Sequence, residues 1–267
     1  MTRTDLRQRL KQDILIIDGA MGTQLIERGV DQGQCNENLN LESPEIVEQV
    51  NSVYFQAGSD AVITNTFGAS KYALARHSLD DKVTEINRAA AEIARRAVGE
   101  EGYVLGDIGP TGDFLAPLGT LKPDELTEAF ATQAKALEAG GADGFIVETM
   151  TAIEESLNAV KAIKSCSDKP VFASMAFDVA GDEFRTMMGV DPATAVQKLA
   201  ELDVDAVGFN CGSVPMDKYI ELAEIFVEAV KNTGKDIAVL AEPNAGMPEL
   251  LDGKPVYKTG PEDFAKA

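Results

Sequence analysis

The chain has 267 residues, 45% of them hydrophobic, with a formal net charge of −20, which fits one globular domain of barrel size, residues 1–267, with an ordinary core. So large an excess of acid repels phosphate backbones and anionic lipid, and argues against nucleic acid or a membrane surface as partner. No apolar run approaches the roughly 20 residues that span a bilayer, and the opening MTRTDLRQRLKQD has no apolar leader, so a cytoplasmic location is expected.

Seven apolar segments are predicted as strands, in order 14–18, 61–66, 103–107, 144–148, 171–176, 206–211 and 238–242. Three of them share one pattern, a small or acidic turn running into an apolar stretch that stops at a polar residue: AGSDAVITNT, GGADGFIVET and LDVDAVGFNC. Continuous rather than alternating apolar character is what a strand shows when helices cover both of its faces. Helical patterns fill the gaps. Between 80 and 98, acidic residues at the start and Val83, Ile86, Ala90, Ile93 and Ala97 at steps of three and four predict an amphipathic helix. Pro123 and Pro192 are placed to open helices running to about 139 and about 202, since proline is tolerated in a first turn. Alternation of strand and helix predicts an α/β fold with parallel pairing and right-handed crossovers, closing into a (β/α)8 TIM barrel. After Glu242, AGMPELLDGKPVYKTG reads as a Pro/Gly-containing loop and PEDFAKA as the first turn of a helix. No eighth strand is read, so the barrel is expected to lack its last strand, with open edges on the first and seventh.

Strands of such a sheet deliver their last residues to one mouth, and those residues are the candidates for chemistry. The first strand ends in Asp18-Gly19-Ala20-Met21-Gly22, where a glycine turn lets backbone amides approach an anion and the carboxylate suits an amine. Glu148 is a second acid of the same kind, fit for acid–base work or for amine recognition. Asn65 and Asn210 are amides that suit orienting a polar substrate. The long segment 106–119 is a candidate cover for the opening, and Glu242-Pro243-Asn244 adds a further oxygen-bearing cluster. Cys211, between Asn210 and Gly212, is placed for metal ligation or nucleophilic attack, although a lone cysteine is more often a small core residue. The single histidine, His77, lies far in sequence from any strand end, which argues against a Cys–His nucleophile pair. Strand ends without lysine argue against a Schiff-base aldolase. Three cysteines, far apart, do not suggest a disulfide framework.

The ordered set DGAMGTQL, ITNTFGA, IGPTG, VETM, GFNCG and AEPNAG resembles the homocysteine S-methyltransferase family over about 14–264, and CNENLNLESPEIV adds a likeness to the N-terminal homocysteine module of the cobalamin-dependent methionine synthases. The resemblance implies a (β/α)8 barrel that binds zinc through three cysteines and passes a methyl group to the sulfur of homocysteine, forming methionine. Position by position, Cys211 matches a zinc cysteine. Asp18 and Glu148 match acids that hold the homocysteine amino group, backbone amides of Gly19 and Ala20 match its carboxylate contacts, and Asn65 and Asn244 match pocket residues. Cys35 and Cys166 match no ligand position. The family's other two zinc ligands, an adjacent Cys-Cys pair, have no counterpart in the sequence, so the zinc site is expected to be incomplete. The implied methyl donor is methylcobalamin on a corrinoid protein or domain. Two other readings stay open: a divalent-metal lyase using Asp18, Asp107, Glu148 and Glu242 as oxygen ligands for magnesium or manganese, and a zinc-less, non-catalytic barrel that binds an amino acid or a partner.

Overall fold

In the computed structural model of the chain, which describes residues 3–246, 248–251, 254–257 and 259–266, six of the seven predicted segments are strands of one sheet. They are β1 (Ala61–Ile63), β2 (Tyr103–Ile108), β3 (Gly144–Met150), β4 (Val171–Met175), β7 (Ala206–Asn210) and β8 (Ala238–Glu242), hydrogen-bonded in the order β1-β2-β3-β4-β7-β8. The β1–β2, β2–β3 and β7–β8 pairings are parallel. Every residue of β2, β4 and β7 is buried, including the polar Asp107, Ser174 and Asn210, the physical counterpart of their mostly apolar sequence. The intervening β5 (Asp178–Ala180) and β6 (Glu183–Arg185) form a separate antiparallel pair that the sequence reading did not anticipate.

Three expectations need correction. The segment 14–18 is not a strand: Ile17 makes only an isolated parallel bridge to Ala61, while Ile14 and Ile16 are 81% and 55% exposed. It borders β1 through Asp18 N–H to Ala61 O at 3.1 Å but presents unburied apolar side chains. β1 stops at Ile63 rather than Thr66, because the chain turns there, with Thr66 N–H donating to Thr64 O at 2.8 Å. The segment read as a loop after Glu242 contains an antiparallel pair, β9 (Pro248–Leu251) and β10 (Lys254–Tyr257), in which Leu251 opposes Lys254. An Asp-Gly pair between apolar stretches is a hairpin signal that was present in the sequence.

The chain divides into two compact units, one of Met1–Val147 with Asn158–Phe172, the other of Glu148–Leu157 with Ala173–Ala267. In the first, the helices Pro44–Gln56, Val83–Val98 and Pro123–Ala139 flank β1 and β2. Val83, Ile86, Ala90 and Ile93 are buried as predicted, and the helix at Pro123 begins and ends where the sequence indicated. Leu25, Val30, Leu39, Val47, Val50 and Ile93 form one apolar cluster of this unit, and Ala69, Leu74, Val83 and Ile86 another, with Cys35 packed against it. In the second unit the helices Pro192–Ala200 and Tyr219–Thr233 cover β7. Asp191 caps the first of these, its side chain accepting from Thr194 N–H at 2.9 Å. An aromatic group supports the end of β7: Phe226 lies 5.6 Å from Phe177 and 5.5 Å from Phe209, and Phe209 stacks on Tyr219 at 5.9 Å. Rings at these spacings contribute beyond their buried area, and they sit directly beneath the turn that carries Cys211.

Candidate active site

In the second unit the sequence-predicted residues Glu148, Cys211 and Asn244 all lie at strand ends or just past them. β7 ends at Asn210, and the chain then turns through Cys211 and Gly212, both in the left-handed region at φ +52° and +69°. A side chain at position 212 would meet the Phe177 backbone, so the turn needs glycine there. It is held from two sides. Ser213 N–H donates to the Asp178 carboxylate at 2.8 Å, and Asn244 Nδ2 donates to Gly212 O at 2.9 Å. Asn244 is itself fixed by its N–H donating to Tyr219 Oη at 3.2 Å.

The turn leaves Cys211 exposed, with its thiol free, beside polar neighbours rather than aliphatic ones. Asn210 Nδ2 lies 3.3 Å and Thr149 Oγ1 3.7 Å from the sulfur. Thr149, next to Glu148 on β3, is also left-handed at φ +60°, a rare conformation for a β-branched residue. Although Cys211 is exposed as a residue, the protein around the sulfur raises its pKa by burial. Hydrogen bonds from Thr149 and Asn210 pull the other way, and the charges of Glu148 and Glu242 add to the rise. Asn210, expected to orient substrate, is instead 3% exposed and engaged with Thr149, Ser174 and Cys211.

Burial pushes the Glu148 carboxyl from 4.5 up to about 7, although the residue keeps some surface. Below about 4.5 the group is protonated whether the chain is folded or not, and between 4.5 and about 7 only the unfolded chain ionises it. Its contribution to stability therefore falls as pH rises through that window and is level above it. Glu148→Gln is expected to match the parent near about pH 4 and to exceed it by about 1–2 kcal/mol near about pH 8, allowing for solvent screening. Chemical denaturation at both pH values measures this, and a stability difference that does not change with pH would rule it out.

The first unit holds the other four. Asp18 is half-buried and its Oδ1 accepts from Ile63 N–H at 3.0 Å. Gly19 and Ala20 are exposed, and Ala20 precedes the helix Met21–Glu27 without a side-chain cap, so the first-turn amides of that helix are not capped by Ala20. Tyr54, which the sequence reading passed over, donates to Ala20 O at 3.2 Å, and its pKa is raised by burial and then by the charge of Asp18. Asn65 is buried. Its Nδ2 donates to Asn36 O at 2.7 Å and to Asn40 Oδ1 at 3.2 Å, tying the turn after β1 to residues 36–40. The sequence signals for Tyr54 and Thr149 were weak: one sits mid-helix, the other beside a more conspicuous acid.

Cys35 and Cys166 are partly buried and free. Cys35 donates to Glu37 at 3.3 Å and is pushed up to about 11 by burial and the Glu37 charge, which favours its thiol form. Among the described residues no group of three or more His, Cys, Asp and Glu side chains stands close enough to hold a metal ion. Cys211 alone is one soft ligand of the three or four that zinc requires, so the residues present do not by themselves fit a zinc ion. A cavity of about 650 Å³ lies elsewhere in the first unit, lined by Arg3, Arg7, Tyr103, Asp143 and 164–170. Its Arg3–Asp143 ion pair and the Arg3 guanidinium over the Tyr103 ring fasten the N-terminal segment. No helix among the described residues is long and apolar enough to cross a membrane.

Comparison with known proteins gives a consistent result. The family model described as homocysteine S-methyltransferase matches residues 15–267. A methionine synthase of Mycobacterium tuberculosis is 32% identical over 99% of this chain, and one of Mycobacterium leprae is 31% identical over the same share. The chain spans 23% and 22% of the length of these two relatives. Among solved structures, the metallated form of the homocysteine methyltransferase MmuM from Escherichia coli superposes with a TM-score of 0.70 at 20% identity, covering 98% of each chain. That likeness bears out the predicted α/β fold of the TIM-barrel type. A family-model match across nearly the whole chain establishes that the protein belongs to the homocysteine S-methyltransferase family.

Proposed function

We propose that this chain binds homocysteine and prepares its thiol to receive a methyl group, forming methionine, with a methylcorrinoid protein or domain as donor. The observation that carries the reading is the Cys211 turn: an exposed thiol on a strand end, surrounded by hydrogen-bond donors and near the Glu148 acid. Asp18 and Glu148 hold the substrate amino group in this proposal, and the amides of Gly19 and Ala20 its carboxylate. Asn244 is proposed as a substrate contact that also secures the glycine beside Cys211, and Asn65 as a substrate contact of the first unit that also anchors residues 36–40. The methionine synthase relatives support the corrinoid donor, and the three free cysteines suit a cytoplasmic setting.

Cys211 is the ligand that this chain offers to zinc, and a zinc ion there would need further ligands from beyond the described residues. When bound, zinc keeps a thiol deprotonated and nucleophilic at neutral pH. Titration calorimetry with L-homocysteine tests the proposal. Asp18→Asn, which removes the carboxylate charge offered to the substrate amino group, is expected to weaken L-homocysteine binding at least about tenfold relative to the parent. Equal affinity in the two proteins would remove Asp18 from the proposed site.

A further inference from the structure

We propose that Asn210 is a positioning residue which, with Thr149, presets the direction of the Cys211 sulfur and holds it as a hydrogen-bond acceptor. The orientation of the Asn210 amide follows from chemistry. Thr149 N–H, 2.8 Å from Oδ1, can only donate, so the oxygen must face it and the NH2 group must face the other way. Ser174 Oγ donates to the same oxygen at 2.7 Å. The two amide hydrogens then go to Thr149 Oγ1 at 2.7 Å and to Cys211 Sγ at 3.3 Å. Both acceptor sites and both hydrogens of the side chain are used within the protein, and at 3% exposure the residue is closed to substrate.

Thr149 completes the arrangement. Its Oγ1 already accepts from Asn210, so its own hydrogen is free to point at Cys211 Sγ, 3.7 Å away. The sulfur thus faces two hydrogens, one from each neighbour, which fix its direction as an acceptor. Thr149 and Cys211 are also the two non-glycine residues that turn left-handed at the ends of β3 and β7, at φ +60° and +52°. Such conformations persist only where the surroundings over-determine them, and here one buried side chain bridges both residues, with β4 joined through Ser174. Neither Asn210 nor Thr149 is needed to touch substrate for this role.

The inference deepens the proposed function and rests on it for its biological meaning, but its test needs neither homocysteine nor a methyl donor. Iodoacetamide alkylation of the intact chain, resolved by peptide mass spectrometry, reports Cys211 with Cys35 and Cys166 as internal references. Asn210→Asp keeps the oxygen facing Thr149 and Ser174 but replaces the amide hydrogens by a second carboxylate oxygen. Thr149→Val removes the hydroxyl hydrogen at constant shape, and Thr149→Ser keeps it. Asn210→Asp and Thr149→Val are expected to slow alkylation at Cys211 about tenfold, Thr149→Ser to stay within about twofold of the parent, and the reference cysteines to be unchanged in all three. Parental rates at Cys211 in Asn210→Asp and Thr149→Val would overturn the proposal. So would a joint rise at all three cysteines, the mark of a merely structural role, or a Thr149→Ser variant as slow as Thr149→Val. Failure of homocysteine binding with these alkylation rates intact would count against the proposed function and leave this inference standing.

Discussion

Gly208→Ala is expected to destabilise the second unit by more than about 4 kcal/mol, enough to remove most of the soluble folded protein. Gly208 lies in the middle of β7, opposite Leu240 of β8, and a methyl group at this position would run into the Leu240 carbonyl. The obstacle is backbone, not the end of a flexible side chain, so it cannot rotate away. Relief requires β8 to move off β7, which breaks a ladder of five paired residues from Ala206–Ala238 to Asn210–Glu242. Core packing transmits such a shift rather than absorbing it. Soluble yield and thermal unfolding measure the effect. A variant that melts within about 4 °C of the parent, the shift expected from only about 1–2 kcal/mol, would show that the sheet accommodates a Cβ there.

Cys211→Ser is the second large effect, and it is chemical. The residue is exposed, so the substitution should leave the melting temperature within about 2 °C of the parent, as for surface changes generally. A serine hydroxyl keeps the size of the group but is a far weaker metal ligand than a thiolate and is not ionised near neutral pH. In the proposed function, methyl transfer to homocysteine from a methylcorrinoid donor is expected to fall at least about a thousandfold in this variant. Full activity in the serine variant would remove Cys211 from the chemistry and with it the proposed function. Unchanged stability matters as much as lost turnover here, since it separates a chemical role from a structural one.

Much of the fold was legible because its strands are buried on both faces. The apolar runs in β2, β4 and β7 have no polar alternation to blur them, and prolines at 123 and 192 mark helix starts. Legibility failed where burial is one-sided or absent. Ile14 and Ile16 are as apolar as a core strand, yet they stay exposed, and composition cannot report whether a neighbour exists to cover them. The β9–β10 pair was missed because proline and glycine were weighed as loop formers ahead of the Asp-Gly turn signal.

By itself the sequence determined the α/β order of elements, the family and the positions of Asp18, Glu148, Cys211 and Asn244 at or near the ends of predicted strands, because hydrophobic pattern and motif spacing are local properties of the chain. Only the tertiary structure decided what Asn65 and Asn210 do. Both are amides at strand ends, and a sequence reading assigns both to substrate. In the folded chain Asn65 anchors residues 36–40, and Asn210 spends all of its hydrogen bonds on Thr149, Ser174 and Cys211. The physical reason is that a buried amide must satisfy its donors and acceptors from whatever the fold places around it, and those neighbours come from strands distant in sequence.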